Sequence, residues 1–198
     1  MRIAIIENRE GIQNILKLRY QVLVSEYGYL PKNNSKIITD KYDLHSSTIH
    51  IGAFNKNAEI IGSIRVVMNS KIGIPSEDYF DFITIPLPPE YGRPNLNKDV
   101  LADLSRLVIT KKFCANKLIK SYKLTLSYKL ITISNFFAKK SGATVCCAVV
   151  NPKLSKLFSL LGYRPIGSES ICDKNKLPLI PFIGEINELV CRPIMDKI

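Results

Sequence analysis

The sequence predicts an α/β protein in which a mixed central sheet is flanked by helices. Three observations support this fold class. Short apolar runs typical of strands alternate with segments of helical spacing, two of those runs form a hairpin, and a strand–helix–strand unit occupies the middle of the chain. A chain of 198 residues can bury one full hydrophobic core but hardly two. We therefore expect a single domain over residues 1–198.

The first elements are a strand over residues 2–6 and a helix over residues 11–26, whose apolar side chains recur on one face. Arg19 lies on that apolar face, where an unpaired charge is costly. Residues 48–54 and 59–68 alternate as strands do, and the polar stretch between them predicts a hairpin turn. The first half of the chain therefore supplies one helix and one edge of the sheet.

The central unit begins with a strand at residues 101–109, after a long irregular loop at residues 70–98 that is rich in Pro and Gly. A long helix over residues 116–140 follows, and Ser141-Gly142 after it is a typical C-terminal cap. The next run, residues 144–150, is apolar throughout, as in a strand covered on both faces.

The last part of the chain predicts a short helix over residues 152–161. Asn151 precedes it as an N-cap, Pro occupies its first position and Gly162 follows its end. Further strands are expected at residues 164–168 and 185–192.

The charge of the chain is unevenly distributed. The net charge is +11 and the pI about 9.4, yet residues 104–168 contain Lys and Arg but no Asp or Glu. Such a region attracts an acidic partner, although a solvated basic face is the simpler interpretation. The sequence has no recognition-helix, zinc-finger or RNA-binding signature, so nucleic acid is not the expected partner.

Composition excludes several other classes. No apolar run reaches the roughly 18 residues of a membrane span, and the N-terminal apolar run is too short for a secretory signal, so we expect a cytoplasmic protein without integral membrane association. The five cysteines form no C-x-x-C pair, which predicts reduced thiols and neither disulfides nor a zinc site. His45 and His50 have no partners at ligand spacing, so no metal is expected.

Six charged residues stand out because they fall on apolar segments or in the loop between them. They are Arg19, Asp40, Asp43, Arg65, Asp103 and Arg106. Buried charges persist when they are paired, so these residues can form a structural ion-pair network. The carboxylates can also take a proton from an amine, and a guanidinium group suits a substrate carboxylate, for which Arg65 and Arg106 are the candidates.

Residues 101–167 resemble the GNAT superfamily of N-acyltransferases, in which a strand, a long helix, an apolar strand and a short helix end in a Gly-aromatic pair, here Gly162-Tyr163. In that superfamily a glycine-rich turn usually holds the pyrophosphate of coenzyme A. The corresponding turn, residues 110–116, contains no glycine, and Phe158 stands where a proton-donating Tyr is common. The missing glycine favours a donor other than coenzyme A, and Phe158 makes general acid catalysis from its position unavailable.

A more specific resemblance is to the acyl-homoserine-lactone (autoinducer) synthases and the related long-chain N-acyl amino acid synthases. The matching residues are Arg19, Asp40, Asp43, Arg65 and the segment 103–106, Asp-Leu-Ser-Arg. The sequence is most similar to synthases of the N-acyltyrosine type.

The acceptor site departs from that of the lactone synthases. Leu23, Tyr29 and Asp103 replace their usual Phe, Trp and Glu, which points away from S-adenosylmethionine and toward a free amino acid. A lactone synthase using S-adenosylmethionine and an acetyltransferase using acetyl-coenzyme A remain the alternatives.

The resemblance implies an enzyme of GNAT fold that transfers a long-chain acyl group from acyl carrier protein to the α-amine of tyrosine. No bound cofactor is expected, since the acyl-phosphopantetheine thioester is a co-substrate. The expected catalytic residues are Asp103, Asp40, Asp43 and Arg106, and the expected substrate-binding residues are Arg19, Arg65, Tyr29 and Ser105. The residues expected to bind the carrier are Lys111, Lys112, Lys117 and Lys120.

Overall fold

A computed structural model describes residues 1–80, 100–112, 119–167, 170–171 and 177–191 of the chain. The elements, in chain order, are β1 (Arg2–Ile6), α1 (Arg9–Tyr20), β2 (Thr48–Phe54), β3 (Ile60–Met68), β4 (Leu101–Ile109), α2 (Ile119–Lys140), β5 (Val145–Val150), α3 (Pro152–Leu160), β6 (Arg164–Pro165), β7 (Ser170–Ile171) and β8 (Pro178–Glu185). A 3-10 helix, Pro75–Asp78, lies between β3 and β4.

The strands form one mixed sheet in the order β1-β2-β3-β4-β5-β8-β6, with β7 paired to β8. Its first four strands are antiparallel neighbours, and β4 and β5 are parallel. The β4–β5 ladder pairs Leu101 with Val145 and ends at Asp103 and Cys147, although both strands continue beyond it. The two strands therefore open a gap at the centre of the sheet.

Helix α1 begins after Asn8, whose side chain accepts a hydrogen bond of 2.7 Å from the Gly11 amide. The helix continues without a break into a π-helical segment, Gln21–Glu26. The single helix predicted over residues 11–26 is thus present, and its last part has the wider π geometry. Such a widening is common near functional sites.

The main core lies between the sheet and α2. Ala102 and Leu104 of β4 pack in one cluster with Leu126 and Leu130 of α2. Because side chains alternate along a strand, Asp103 and Ser105 of β4 must lie on the opposite face of the sheet. That face carries the charged residues.

The predicted mixed α/β architecture is confirmed, and the predictions fail mainly near the C-terminus. The strand expected at residues 185–192 is wrong, since the strand there is β8, Pro178–Glu185, and turns follow it. Pro181 made this segment an improbable strand. It is tolerated because it lies between the β8 residues paired with β7 and those paired with β6.

Two further features concern surfaces and thiols. Within the described ranges, no helix is long and apolar enough to cross a membrane. Cys146 and Cys147 are buried free thiols, and Cys191 is a half-buried one. Cys114 and Cys172 lie outside the described residues.

Candidate active site

A row of polar side chains crosses three neighbouring strands on the face opposite α2. His50 of β2 is paired with Arg65 of β3, and Arg65 is paired with Ser105 of β4. Nε of Arg65 donates to Oγ of Ser105 at 3.1 Å. The register of the sheet therefore brings together residues that are far apart in the sequence.

The loop before β2 delivers two carboxylates to this row. Nη1 of Arg65 donates to Oδ1 of Asp40 at 2.6 Å and to Oδ1 of Asp43 at 2.7 Å. Nη1 of Arg19, from α1, donates to the same Asp43 oxygen at 2.6 Å. The side chains of Arg19 and Asp43 are fully buried and that of Arg65 is 1% exposed. This charged group is therefore inaccessible to water except at Asp40.

The loop fixes its own carboxylates by short-range hydrogen bonds. The Asp40 amide donates to Oδ2 of Asp43 at 2.9 Å, and the Tyr42 amide donates to Oδ1 of Asp40 at 3.0 Å. Asp side chains that accept from nearby amides stabilise such turns. The two acids are consequently held in place before any substrate arrives.

Arg106 joins the group because β4 contains a bulge. The pairs Arg65–Ser105 and Ser63–Val108 leave one extra residue in β4, and Arg106 has a φ of 56°. Simple alternation would point Arg106 away from Ser105, whereas a bulge redirects the side chain. Its Nη2 donates to Oδ2 of Asp40 at 2.8 Å, and its side chain is 23% exposed.

His50 is a member of the cluster for which the sequence suggested no role. Its Nε2 lies 2.8 Å from the Asp43 carbonyl oxygen and its Nδ1 lies 3.4 Å from Nη2 of Arg19. Burial lowers the pKa of His50, and the nearby Arg19 lowers it further. A neutral ring that donates from Nε2 and accepts at Nδ1 satisfies both neighbours.

The directly paired groups of the cluster are three guanidinium groups and two carboxylates. Burial by itself raises the pKa of Asp40 and of Asp43, but their arginine partners outweigh it and hold both pKa values below the usual range. Burial lowers the pKa of Arg19 to about 10. This value is still well above 7, so Arg19 is charged at neutral pH. Three guanidinium groups thus face two carboxylates, and Arg106 is the most exposed of the three.

Asp103 lies on the same face but has a different environment. The amide and the hydroxyl of Ser76, in the 3-10 helix, both donate to its Oδ2, the amide at 2.8 Å. Its Oδ1 is buried and has no hydrogen-bond partner among the residues that the structure describes. Burial raises the pKa of Asp103 from 3.8 to about 6.

A second group of predicted residues lies at the end of β4. Nζ of Lys111 lies 3.9 Å from the ring centre of Tyr27, and Nζ of Lys123 lies 2.9 Å from the Tyr27 hydroxyl. Tyr29 stacks on Tyr27, with the two ring centres 5.1 Å apart. Glu26 accepts from the Lys111 amide at 2.8 Å and ties this turn to the π-helical segment.

The predicted residues therefore fall into two groups. Arg19, Asp40, Asp43, Arg65, Ser105 and Arg106 form one cluster with Asp103 beside it on the same face, whereas Tyr29 and Lys111 belong to the group at the end of β4. Lys112 is exposed on the turn. Lys117 and the side chain of Lys120 lie outside the described residues.

Two residues of the site had no usable signal in the sequence. Alternation along β2 could have placed His50 on the face of Arg65, had the strand register been known. Ser76 is a buried serine in a turn 27 residues before Asp103, and its contact depends on how the chain returns to the sheet. In the described part of the chain, no group of three or more His, Cys, Asp or Glu side chains could hold a metal ion.

The sequence profile of the FeeM family, described as N-acyl amino acid synthase FeeM, matches residues 14–183. No curated protein matches the sequence significantly.

Several solved structures share the fold. FeeM, an N-acyl amino acid synthase from uncultured soil microbes, has a TM-score of 0.68 and 18% identity, over 94% of this chain and 91% of that one. BjaI, a CoA-dependent acyl-homoserine lactone synthase solved with SAM and isopentyl-CoA, has a TM-score of 0.64 and 15% identity, over 90% and 77%. A putative N-acetyltransferase from Lactobacillus plantarum has a TM-score of 0.60 and 13% identity, over 93% and 97%. The predicted GNAT fold is thereby confirmed.

Proposed function

The chain belongs to the FeeM family of N-acyl amino acid synthases, and from this membership we propose that it transfers a long-chain acyl group from acyl carrier protein to the α-amine of a free amino acid. For the acceptor we propose tyrosine, as the sequence led us to expect. The chain is an acyltransferase. The finer assignments rest on the charges and the backbone around the gap between β4 and β5.

The observation that carries the proposal is the position of Arg106. It is the partly exposed guanidinium of the cluster, and the bulge places it on β4 beyond the point where β4 and β5 separate. A planar guanidinium binds a carboxylate through two parallel hydrogen bonds. Arg106 can therefore hold the carboxylate of an amino acid with the amine directed toward the gap.

The gap itself suits a thioester on an extended arm. Along β4 beyond Asp103 one side pairs with β3, and the other side borders the gap and is not paired with β5. Backbone groups on a free strand side can bind an extended chain. Amide groups near residues 107–109 are the candidates to stabilise the oxyanion that forms when the amine attacks the carbonyl.

The donor is assigned from charge. Lys111 and Lys112 are exposed on the turn that follows β4, and Lys123 of α2 is near them through its contact with Tyr27. Carrier proteins are acidic, so a basic surface at the entrance to the gap increases their rate of encounter.

The test is a comparison of charge-reversal variants. The Lys111→Glu/Lys112→Glu double variant is expected to raise the apparent KM for acyl carrier protein about tenfold and to leave the KM for tyrosine nearly unchanged, because electrostatic steering acts on the macromolecular partner. The control is Lys153→Glu/Lys156→Glu, which makes the same charge change at exposed positions of α3. Equal effects on both KM values, or an equal effect of the control, contradict the donor assignment.

A further inference from the structure

The first residues of the turn after β4, residues 110–112, bind an acidic side chain from another part of the chain. The turn belongs to the segment 104–168, which contains no Asp or Glu. Glu26, at the end of the π-helical segment, supplies the carboxylate. Its Oε2 accepts from the Lys111 amide at 2.8 Å, and its Oε1 accepts from the hydroxyl of Thr110. One anion is therefore built into a basic surface.

Both amides of this turn, at residues 111 and 112, are committed to the carboxylate, the first directly and the second through a hydroxyl. The Lys112 amide donates to Oγ1 of Thr110 at 3.1 Å, and Oγ1 donates to Glu26. Gln21, at the start of the π-helical segment, donates from Nε2 to Oε1 of Glu26 at 3.1 Å and to Oγ1 of Thr110 at 2.9 Å. The carboxylate is thus held by an amide, a hydroxyl and a carboxamide.

This arrangement is that of an anion-binding position. Successive backbone amides directed toward one point form such positions, and hydrogen bonds to an ionised acceptor are stronger than those between neutral groups. The ammonium group of Lys111 adds positive charge there, since its Nζ lies 3.0 Å from the Glu26 carbonyl oxygen. The anion that fills the position is a side chain of the protein itself.

The location of the turn makes this internal anion relevant to the acyl donor. A pantetheine arm that lies in the gap with its thioester near residues 107–109 of β4 leaves the gap beside the turn that follows. Coenzyme A would bring a diphosphate and a nucleotide to this place, whereas a carrier protein attaches the same arm through a single phosphodiester. A diphosphate is therefore the donor group that a fixed carboxylate repels most.

We infer that Glu26 determines the specificity for the donor: its carboxylate occupies the anion-binding position of the turn and excludes the diphosphate of coenzyme A. This inference rests on the proposed function. Discrimination of this kind places a repulsive group against the wrong ligand and does not require tighter contacts to the right one. The side chains of Lys111 and Lys112 remain exposed for the acidic carrier protein.

The first experiment measures the binding of coenzyme A by calorimetry to wild type, Glu26→Gln and Glu26→Ala. Both variants should bind it at least about tenfold more tightly, because the repulsion is removed and the Lys111 amide is freed. Pantetheine, which has no phosphate, should bind equally to all three proteins. An unchanged affinity for coenzyme A, or an equal gain for pantetheine, overturns the inference.

The second experiment compares the same long-chain acyl group on acyl carrier protein and on coenzyme A, with tyrosine as the acceptor. The ratio of kcat/KM for the carrier to that for coenzyme A should fall at least about tenfold in Glu26→Gln, through a lower KM for acyl-coenzyme A. The matched control is Glu188→Gln, which removes the same charge from an exposed pair with Arg164 at 3.2 Å. An equal fall in the control, or a parallel loss with both donors, contradicts a role in specificity.

The two experiments separate failure of this inference from failure of the proposed function. If wild type forms no N-acyl amino acid from either donor, the proposed function is overturned, and the calorimetric comparison still decides whether Glu26 excludes coenzyme A. If wild type uses both donors equally well, acyl transfer stands and the inference about Glu26 is overturned.

Discussion

The carboxylate of Asp43 lies between two buried guanidinium groups, so replacing it by asparagine tests the energetic account of the cluster. Oδ1 accepts from Arg19 and Arg65 at 2.6 and 2.7 Å, and Oδ2 accepts from the Asp40 amide at 2.9 Å. Asp43 is the acceptor in all three hydrogen bonds. An asparagine has only one acceptor oxygen, so one of these contacts becomes donor against donor.

The expected loss follows from this arrangement. Removing one member of a buried ion pair costs about 3 to 5 kcal/mol, because the remaining charge stays buried without compensation. In a domain of this size each kcal/mol lowers the melting temperature by about 2 to 4 °C, so Asp43→Asn should lower it by about 6 to 20 °C. A loss of this size is a large part of the stability of most domains.

The assay is urea unfolding followed by circular dichroism, with calorimetry for the melting temperature. The matched control is Asp78→Asn, the same chemical change in a pair with Lys41 whose side chains are 57% and 36% exposed and 3.5 Å apart. Water and salt screen such a pair, so its loss should change stability far less. If both variants unfold at the same urea concentration, the buried cluster does not contribute more to the free energy of unfolding than an exposed ion pair.

Two other outcomes follow from the same site. Arg106→Lys keeps the charge but loses the proposed bidentate contact with the substrate carboxylate. The KM for the amino acid should therefore rise about tenfold while kcat changes less. An unchanged KM would mean that Arg106 does not bind the acceptor. Asp103→Asn should be more stable than wild type above about pH 6. Folding raises the pKa of Asp103 from 3.8 to about 6, so wild type loses stability as the pH rises through that interval, by about 3 kcal/mol in all. Below about pH 3.8 the acid is protonated in both states, and this cost is absent. Urea unfolding of both proteins at about pH 4.5 and 7.5 measures the difference, and a constant difference would contradict the raised pKa.

The elements with strong local signals could be predicted from the sequence. The bounds of β1, β2 and β4 agree residue for residue with the prediction, because alternation and turn residues mark their ends. Helix α3 was recognised from Asn151, whose side chain accepts from the Lys153 amide at 3.1 Å, and from the glycine after it. β8 was missed because prolines are rare within strands. Pro178 fits as the first residue of the strand, and Pro181 fits because it lies between the residues paired with β7 and those paired with β6.

The members of the charged cluster were also predictable, whereas its geometry was not. Arg19 on an apolar helix face and Arg65 within an apolar strand required acidic partners, and Asp40 and Asp43 are indeed those partners. The separate environment of Asp103 depends on tertiary contacts across 27 residues, for which the sequence contains no local signal. The same is true of the bulge that redirects Arg106, since a positive φ at a non-glycine residue has no sequence signature here.

The most direct test of the proposed function is the identity of the product. The purified chain is incubated with a long-chain acyl carrier protein and tyrosine, the product is measured by mass spectrometry, and the released carrier thiol is counted. We predict N-acyltyrosine and carrier thiol in equal amounts. An acyl-homoserine lactone formed from S-adenosylmethionine, or an acetylated amine formed from acetyl-coenzyme A, in place of N-acyltyrosine would contradict the account.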